Sequence, residues 1–442
     1  MVASSSPTQV VSSEPRVGME LEFFCIDRHG QVVNKADEVL DSVRKVDPTY
    51  HVVKECAHNL LEIGAEPHAF SREALKSLLD NLEALMAGAN AHGCMVLPLG
   101  TYPGVFRPSM RTGDGYAAKK KVFGNRFPIA GRACGYHFHF ELPVAEGFGL
   151  EPSSMLRLNA KKAQVMVNLH NFALAVDPVI TAFMQSSPFY QGQHLGKDSR
   201  VIIYRGGAAL DYPRGLYTAH PLIGALPDYV DDVPALLGLI NNRNDYWMKL
   251  LESKGARAQY ASVLDTCWGP VKVNKLGTIE QRGMDVNRPS LVIAVAVLLK
   301  YASRLLYEDG ARVIVDPKAR DITTRDGILS IPSAQMVRDE LQLLSAREGL
   351  ANAKVHAYCS SLYNLASQQA PKKVHILMEP LRHMLRTRKS VSDDLLTHAR
   401  ARGWRDGTTL PQSLAREMVL EQAGKMFREI LSCRTLLEKL TW

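Results

Sequence analysis

Two glutamates, Glu20 and Glu22, are separated by a single residue within residues 18–23 of the chain. On a β-strand, alternate side chains point to the same face, so both carboxylates face one way while Leu21 and Phe23 face a core. Adjacent carboxylates repel each other unless a cation lies between them, and carboxylate oxygens are the ligands that Mg²⁺ prefers. The pair therefore suggests a metal site, with a solvent-facing edge strand as the alternative.

Two further segments carry ligand-type side chains. Glu55 and Glu62 lie seven residues apart, and Glu62 sits within the apolar run 60–63. A buried acid needs a cationic partner or a metal. His137 and His139 share one face of a predicted strand, a spacing typical of metal sites, although buried structural histidines are the alternative.

Glu280 and Arg282 share a strand face in the same way. A carboxylate beside a guanidinium is most often a plain salt bridge. At a phosphoryl-transfer site, the same pair of groups can hold a metal ion and bind the phosphate. No single segment decides between these interpretations, so the case depends on the four segments meeting in space.

The elements that must position these residues are predicted from hydrophobic periodicity and turn residues. Because the strands do not alternate regularly with helices, we predict an α+β fold. A curved, mainly antiparallel sheet would have flanking helices and a helical C-terminal region, and would gather the four segments into one acidic funnel. The expected strands cover residues 17–26, 31–33, 50–67, 95–99, 134–143 and a pair within 267–285; the expected helices cover 71–93, 153–184 with a break near 177–178, and 289–307; residues 100–131 are expected to be mostly loop.

Composition limits the classes of partner. The hydrophobic content of 46% and the charged content of 22% are ordinary for a soluble globular protein. The chain carries a formal charge of +8, but its basic runs, 119–121 and 382–389, lack interleaved aromatic residues, so we expect solvated basic faces and no nucleic-acid groove. The seven cysteines form no CxxC pair. The run 291–299 is too short to span a bilayer, and residues 1–15 lack the apolar region of a secretory signal. We therefore expect a cytoplasmic protein that binds no membrane.

Taken together, the motifs resemble those of the glutamate–cysteine ligase superfamily, including its bacterial carboxylate–amine ligase branch. The resemblance covers residues 16–310 and rests on five short motifs whose order and spacing are specific in combination. These are G-x-E-x-E-F at 18–23, the two acids seven residues apart, a G-x-H strand ending in Leu-Pro at 135–143, E-x-R followed by Asp-Val-Asn at 280–287, and Ser-Ser-Pro-Phe at 186–189 followed by Ser199 and Arg200.

This resemblance implies a glutamine-synthetase-like catalytic sheet and a set of site residues. Arg282, Arg200 and Glu280 would be catalytic, and Arg200, Arg282 and Glu62 would bind the nucleotide. His139 falls outside the implied metal ligands, and Arg132 and Tyr102 are only candidate substrate contacts. The implied metal ligands are Glu20, Glu22, Glu55, Glu62, His137 and Glu280.

The implied activity is an ATP-dependent ligation in glutathione biosynthesis that requires Mg²⁺, with Mn²⁺ as the alternative ion. The γ-carboxylate of glutamate would be joined to the amine of cysteine through an acyl phosphate, so the partners are small molecules, with a homo-oligomer left open. We expect a disordered tail over 1–14, a catalytic domain over 15–310 and a mostly helical region over 311–442 packed on it.

Other functions remain open on the sequence alone. The chain lacks a P-loop, a Rossmann glycine motif and a nucleophile elbow. A ligase with other substrates, a metal-dependent amide hydrolase, a phosphotransferase and a binding protein that has lost catalysis are the alternatives. The hydrolase would need further histidine ligands, for which His58, His170 and His220 are available.

Overall fold

A computed structural model describes residues 15–69, 72–144, 150–266, 268–308 and 310–440, so the expected tail over 1–14 lies outside the described residues. In chain order the strands are β1 (Arg16–Asp27), β2 (Val52–Lys54), β3 (Leu60–Ala69), β4 (Cys94–Leu97), β5 (Gly135–Glu141), β6 (Phe189–Tyr190), β7 (Gln193–His194), β8 (Val271–Asn274), β9 (Thr278–Asp285), β10 (Arg312–Val315), β11 (Thr323–Arg325) and β12 (Ile328–Ile331).

The helices surround the strands and fill the C-terminal third. In chain order they are α1 (Ala36–Val46), α2 (Arg72–Ala91), α3 (Asp114–Phe123), α4 (Ala160–Met184), α5 (Ser199–Arg205), α6 (Pro221–Gly224), α7 (Val233–Ser253), α8 (Pro289–Ser303), α9 (Ala334–Met336), α10 (Gln342–Glu348), α11 (Ala353–Gln369), α12 (Glu379–Thr387), α13 (Val391–Ala401) and α14 (Gln412–Lys439). The mixture of helix with an antiparallel sheet confirms the predicted α+β class.

A seven-stranded sheet forms the centre of the molecule. Its strand order is β2-β3-β1-β5-β9-β8, and β4 also pairs with β1. All of these pairings are antiparallel. The β1–β3 and β5–β9 pairings each contain an irregularity of register, and such bulges bend and twist a sheet.

The two faces of this sheet differ in character. One face carries apolar residues such as Leu21, Phe138 and Ile279, which are fully buried. Helices α4 and α8 cover the core. Residues Ala160–Met184 and Pro289–Tyr307 are long and apolar enough to cross a membrane, but 100% and 83% of their most apolar windows are buried inside the protein. The opposite face carries the polar residues that the sequence singles out.

Several predicted elements need correction. Residues 31–33 form no strand of their own, although they pair with the end of β1 through an isolated bridge between Ile26 and Val32 and two backbone hydrogen bonds. The strand region expected over residues 50–67 contains two strands, β2 and β3, that pair with each other, and β3 extends beyond it to Ala69. Residues 100–131 are not mostly loop, because α3 and a 3-10 helix over Gly124–Arg132 occupy much of that span. The glycines at 113 and 115 favoured the loop interpretation, but the residues after them continue the helix.

Helix α4 also runs without the predicted break at Pro178. A proline inside a helix removes one backbone hydrogen bond and usually kinks the helix. Here packing holds the segment from all sides. The hydroxyl groups of Tyr358 and Ser345 donate to the carbonyls of Ala175 and Pro178 at 2.8 and 2.9 Å. The C-terminal region is mostly helical as predicted, but it also contains a small sheet with the order β10-β12-β11.

Candidate active site

The register of the central sheet sets the polar residues against one another. Glu22 in β1 lies opposite Glu62 in β3, and Glu20 lies opposite His137 in β5. His139 lies opposite Glu280 in β9, which in turn lies opposite Lys272 in β8. Because opposite residues of an antiparallel pair share a face, five strands contribute polar side chains to one surface.

Glu22, Glu55 and Glu62 form an acidic cluster. One carboxylate oxygen from each lies within 4.8 Å of the others. Burial, together with the neighbouring carboxylates, raises the pKa of Glu62 well above its usual value. Burial would also raise the pKa of Glu55, but hydrogen bonds with Glu62 and with the backbone N–H of Cys56 outweigh it and hold that pKa low. The opposite directions of these two pKa shifts favour one proton shared between Glu62 and Glu55.

A second cluster joins Glu20, His139 and Glu280, whose ligand atoms again lie within 4.8 Å of one another. His137 lies between the two clusters. Its Nδ1 is 3.1 Å from Glu20 Oε2 and 3.5 Å from Glu280 Oε1, and its Nε2 is 3.7 Å from Glu22 Oε1. The structure thus places His139, which the resemblance left outside the ligand set, in direct reach of the same carboxylates.

The donor set of these clusters fits divalent cations. The Nε2 atoms of His137 and His139 are buried, and neither has a hydrogen-bond partner among the described residues. Buried polar atoms are normally satisfied, and neighbouring carboxylates normally need a cation. Carboxylate oxygens with one or two imidazole nitrogens form a donor set suited to Mg²⁺ or Mn²⁺.

The basic side of the site is organised around Glu280. Arg282 Nη1 lies 3.0 Å from Glu280 Oε1, and Lys272 Nζ lies 3.2 Å from Glu280 Oε2. Burial would raise the pKa of Glu280, but the charges of Lys272 and Arg282 outweigh it and lower that pKa. Arg200 joins this group by donating from Nη2 to the carbonyl of Arg282 at 3.1 Å.

The loop at residues 186–189 fixes the helix that carries Arg200. Ser187 Oγ donates to Asp285 Oδ2 at 2.6 Å, and the backbone N–H of Ser186 donates to the same oxygen at 2.9 Å. Ser187 also accepts, through its carbonyl, from the backbone N–H of Ser199 at the start of α5. Asp198 caps this helix by accepting from the Val201 N–H. The motif therefore ties α5 to the end of β9.

A cavity of about 350 Å³ opens beside these groups. Of the residues predicted from sequence, Glu22, Glu55, Arg200 and Arg282 line it. Glu20, Glu62, His137 and Glu280 do not line it but adjoin it through the contacts above. The lining residues that sequence reasoning missed include Tyr116, Lys119, Tyr204, Tyr217, Trp268 and Lys272.

Lys272 could have been found from the sequence, because alternation in Val271–Asn274 puts it on the same face as Asn274. The structure shows that this face meets Glu280, to which the Asn274 amide donates at 2.6 Å. The two candidate substrate contacts lie elsewhere. Tyr102 donates to the carbonyl of Gly30 and lines a different cavity, of about 680 Å³. Arg132 donates to Tyr190 and does not line the 350 Å³ cavity.

The histidines needed by a hydrolase lie outside the site. His58 contacts Asp37, His170 contacts Asn171, and His220 contacts Tyr246. None of the three lines the 350 Å³ cavity.

Comparison with known proteins identifies relatives of the chain. The family model for glutamate-cysteine ligase family 2 matches residues 16–417. A protein provisionally named glutamate–cysteine ligase 2, from Clavibacter michiganensis subsp. michiganensis, is 28% identical over 212 residues, 46% of this chain and 49% of that protein. The match thus spans about half the length of that relative. A protein of the same provisional name from Laribacter hongkongensis is 23% identical over 300 residues, 67% of this chain and 68% of its own.

Two solved structures share the fold. The glutamate–cysteine ligase of Francisella tularensis, solved in complex with AMP, superposes with a TM-score of 0.58 at 12% identity, over 97% of this chain and 95% of that one. The bifunctional glutathione synthetase of Pasteurella multocida superposes with a TM-score of 0.57 at 13% identity, over 94% of this chain and 53% of that one. At these identities the likeness concerns the fold alone.

Proposed function

The chain belongs to glutamate–cysteine ligase family 2, and on that basis we propose that it is an ATP- and Mg²⁺-dependent ligase that joins a carboxylate to an amine. We further propose the γ-carboxylate of glutamate and the amine of cysteine as the two substrates, with an acyl phosphate between them. These are small molecules, and we place the reaction in the cytoplasm, as the scattered cysteines without a CxxC pair suggest.

One observation carries this proposal: ligand-type side chains from distant parts of the chain meet on one sheet face beside one cavity. Glu20, Glu62, His137 and Glu280 come from four different strands. The two carboxylate clusters lie next to the guanidinium groups of Arg200 and Arg282. Sites for phosphoryl transfer need this combination of metal ligands and cations.

The proposed metal ligands fall into the two clusters. Glu22, Glu55 and Glu62 would hold one ion, while Glu20, Glu280 and a histidine would hold another. An Mg²⁺ ion held there would supply positive charge to neutralise the polyphosphate. Mn²⁺ fits the same donors.

The chain's own cations would bind the reacting groups. A carboxylate oxygen of the acid attacks the γ-phosphorus of ATP, the bond to the β-phosphate breaks, and ADP leaves. The guanidinium of Arg282, oriented by Glu280 at 3.0 Å, would stabilise the charge that develops on the transferring phosphoryl oxygens. Arg200, held by its hydrogen bond to the Arg282 carbonyl, would bind the same phosphoryl group from a second direction.

In the second step the amine nitrogen attacks the acyl carbon. The C–N bond forms, the bond to the phosphate oxygen breaks, the amine loses a proton and inorganic phosphate leaves. Closing the reactants in a partly buried cavity positions them and excludes water. We propose that residues 15–310 carry this chemistry and that residues 311–442 pack on them.

The test is phosphate release from ATP with Mg²⁺ across pairs of amino acids and amines, with products identified by mass. We expect an amide, ADP and phosphate, and no AMP or pyrophosphate. Glu20→Ala and Glu280→Ala should abolish turnover. Glu141→Ala is the matched control, because Glu141 also lies on the sheet, is as exposed as Glu20 (28% against 30%) and pairs with Arg16 away from the cavity.

Two results would contradict the proposal. Wild-type turnover in either Glu20→Ala or Glu280→Ala would remove the assigned site. Amide cleavage without nucleotide would identify a hydrolase instead.

A further inference from the structure

The lysine run at residues 119–121 does not form the uniform solvated face expected from sequence. Helix α3 points its three lysines in different directions. Lys120 is exposed, and Lys121 donates to the carbonyl of Gly255 at 2.9 Å. Lys119 is only partly exposed and lines the 350 Å³ cavity together with Tyr116, which lies one helical turn before it.

An aromatic wall holds the Lys119 ammonium at the cavity. Its Nζ lies 4.3 Å from the ring centroid of Trp268 and 5.9 Å from that of Tyr116. Trp268 is itself fixed by an edge-to-face contact with the buried Trp247 at 4.7 Å. A cation over an aromatic face is attracted to it, so the ammonium is held in position without losing its charge.

Lys119 differs from the other cations that line this cavity. Arg282 and Lys272 share the carboxylate of Glu280, and Arg205 pairs with Asp339. Arg200 donates to a backbone carbonyl. Within the described part of the chain, Lys119 has ring contacts but neither a carboxylate partner nor a hydrogen bond. An ammonium partly withdrawn from water is stabilised most by a bound anion.

The position of Lys119 relative to the rest of the site suggests what that anion is. Lys119 lies on the side of the cavity formed by α3 and Trp268. The guanidinium groups of Arg200, from α5, and Arg282, from β9, lie beside the sheet, where phosphoryl transfer is proposed. Burial lowers the pKa of the Lys119 ammonium to about 8. The positive charges of Arg282 and Lys272 lower this pKa further, and the negative charge of Glu55 opposes them. A substrate with two carboxylates could place one at the arginines and the other at Lys119.

We propose that Lys119 binds the carboxylate of the acid substrate that is not phosphorylated, and so selects an acid with a second carboxylate over a simple monocarboxylate. This inference rests on the proposed ligase function and adds a specificity-determining residue to it. The salt bridge that forms is noncovalent, and Lys119 takes no part in either bond-making step.

The experiment compares two pairs of substrates that differ by one carboxylate. Glutamate is compared with 4-aminobutyrate as the acid, and cysteine with cysteamine as the amine, by phosphate release and by mass of the amide. The variants are Lys119→Met, which keeps an apolar stem against Trp268, Lys119→Arg, and the control Lys120→Met from the exposed side of the same helix.

We expect Lys119→Met to lower kcat/KM for glutamate by about 10- to 100-fold, the range for a lost charge-assisted hydrogen bond. For 4-aminobutyrate, we expect a change of less than about threefold, because that acid lacks the carboxylate in question. The KM for ATP and the cysteine-to-cysteamine preference should stay unchanged. Lys119→Arg should restore part of the preference for glutamate, and Lys120→Met should match the wild type.

Three results overturn the inference while leaving the ligase in place: full glutamate preference in Lys119→Met, a raised KM for ATP alone, or loss of the cysteine-to-cysteamine preference instead. No amide from any pair with the wild-type protein would end the proposed function. Calorimetric titration of glutamate into the Mg²⁺- and nucleotide-loaded protein then decides on Lys119 alone. Binding by the wild type but not by Lys119→Met supports the inference, and equal or absent binding overturns it.

Discussion

The acidic cluster of Glu22, Glu55 and Glu62 shows how individual side chains prepare the site. Three carboxylates within 4.8 Å would repel one another if all were ionised. The protein alone relieves part of this repulsion through the proton between Glu55 and Glu62. A divalent cation would relieve it more fully, so the cluster is poised to exchange a proton for a metal ion.

Glu62→Gln separates these two means of relief. Glutamine is a neutral donor for Glu55, as a protonated Glu62 would be, so the stability of the metal-free variant should lie within about 1 kcal/mol of the wild type. Glutamine cannot become the carboxylate that a metal ion needs. With Mg²⁺ at a hundred times its Kd, the wild type should gain about 2.7 kcal/mol in free energy of unfolding. The variant should gain less than about 1 kcal/mol. Urea unfolding with and without Mg²⁺ measures both numbers.

Glu141→Gln is the control for this measurement, since Glu141 binds Arg16 and not the cluster. It should keep the full gain from Mg²⁺. An equal gain in Glu62→Gln would show that the ion binds elsewhere.

Sequence patterns were sufficient to single out most of these residues. Alternation along the strands put Glu20 with Glu22 and His137 with His139, and the structure brings both pairs to one sheet face. Their roles as ligands remain predictions. Lys119 could not be singled out, because three successive lysines are usually solvated and only the rotation of α3 decides which of them turns inward.

At the scale of elements, β5 and α5 meet where Gly135 and Arg200 touch. A Cβ built on Gly135 would lie 2.5 Å from Arg200 Nη2 and 3.3 Å from Glu22 Oε2. The strand therefore leaves room for the guanidinium beside the acidic cluster. The backbone N–H of Gly135 donates to Glu22 at 2.6 Å, so this one residue positions both an acid and a cation.

Gly135→Ala should displace the guanidinium rather than the strand, since the clash falls on the far end of a flexible side chain. We expect kcat to fall by about 10- to 100-fold, because small misplacements of positioning groups have effects of that size. The free energy of unfolding should change by less than about 1 kcal/mol. Gly115→Ala in α3, where an added Cβ meets nothing within 4 Å, should keep full activity. A wild-type kcat in Gly135→Ala would remove Arg200 from the mechanism.

The core helix α4 makes stability depend on pH through His170. Burial lowers the pKa of this imidazole to about 4, against about 6.5 in an unfolded chain. Between these values the unfolded chain binds a proton that the folded chain does not. Stability is therefore complete above pH 6.5 and falls as the pH drops towards 4, by about 3 kcal/mol in total from this group.

His170→Gln should remove that part of the pH dependence. The difference in free energy of unfolding between wild type and variant should narrow, or change sign, as the pH falls from 7.5 to 4.5. Urea unfolding at several pH values measures it, with the exposed His29→Gln as control. If the free energy of unfolding changed with pH in the same way in the wild type and in His170→Gln, the folded protein would not be holding His170 in its neutral form.

Local patterns predicted the strands of the site better than the segments between them. The runs that became β1 and β5 combine strong alternation with clear turns, and each formed within a few residues of its prediction. The strand pair expected within residues 267–285 is β8 and β9. The course of α4 through Pro178 could not be predicted, because hydroxyl groups from the distant Ser345 and Tyr358 support it. Neither contact can be inferred from the sequence around Pro178.

At the scale of the whole molecule, the C-terminal third belongs to the same core as the catalytic sheet. A single hydrophobic cluster extends from Val17 in β1 to Leu437 in α14. Helices α11, α12 and α14 pack against α8. Polar contacts add to this packing: Lys197, just before α5, pairs with Asp393 in α13, and Arg205 pairs with Asp339. The C-terminal third therefore supports the helix that carries Arg200.

A chain shortened to residues 1–310 tests this dependence. It would leave the apolar surface of residues Pro289–Tyr307, 83% of whose most apolar window is buried in the whole protein, without its C-terminal cover. Exposed apolar patches of that kind lead to aggregation, so we expect the shortened chain in the insoluble fraction, or soluble with strong binding of a hydrophobic dye. Co-expression with residues 311–442 as a separate chain should restore solubility and turnover, because the missing surface is supplied without a covalent link. A soluble 1–310 chain that unfolds cooperatively, and is stabilised by Mg²⁺ as the whole protein is, would show instead that the sheet builds the site by itself.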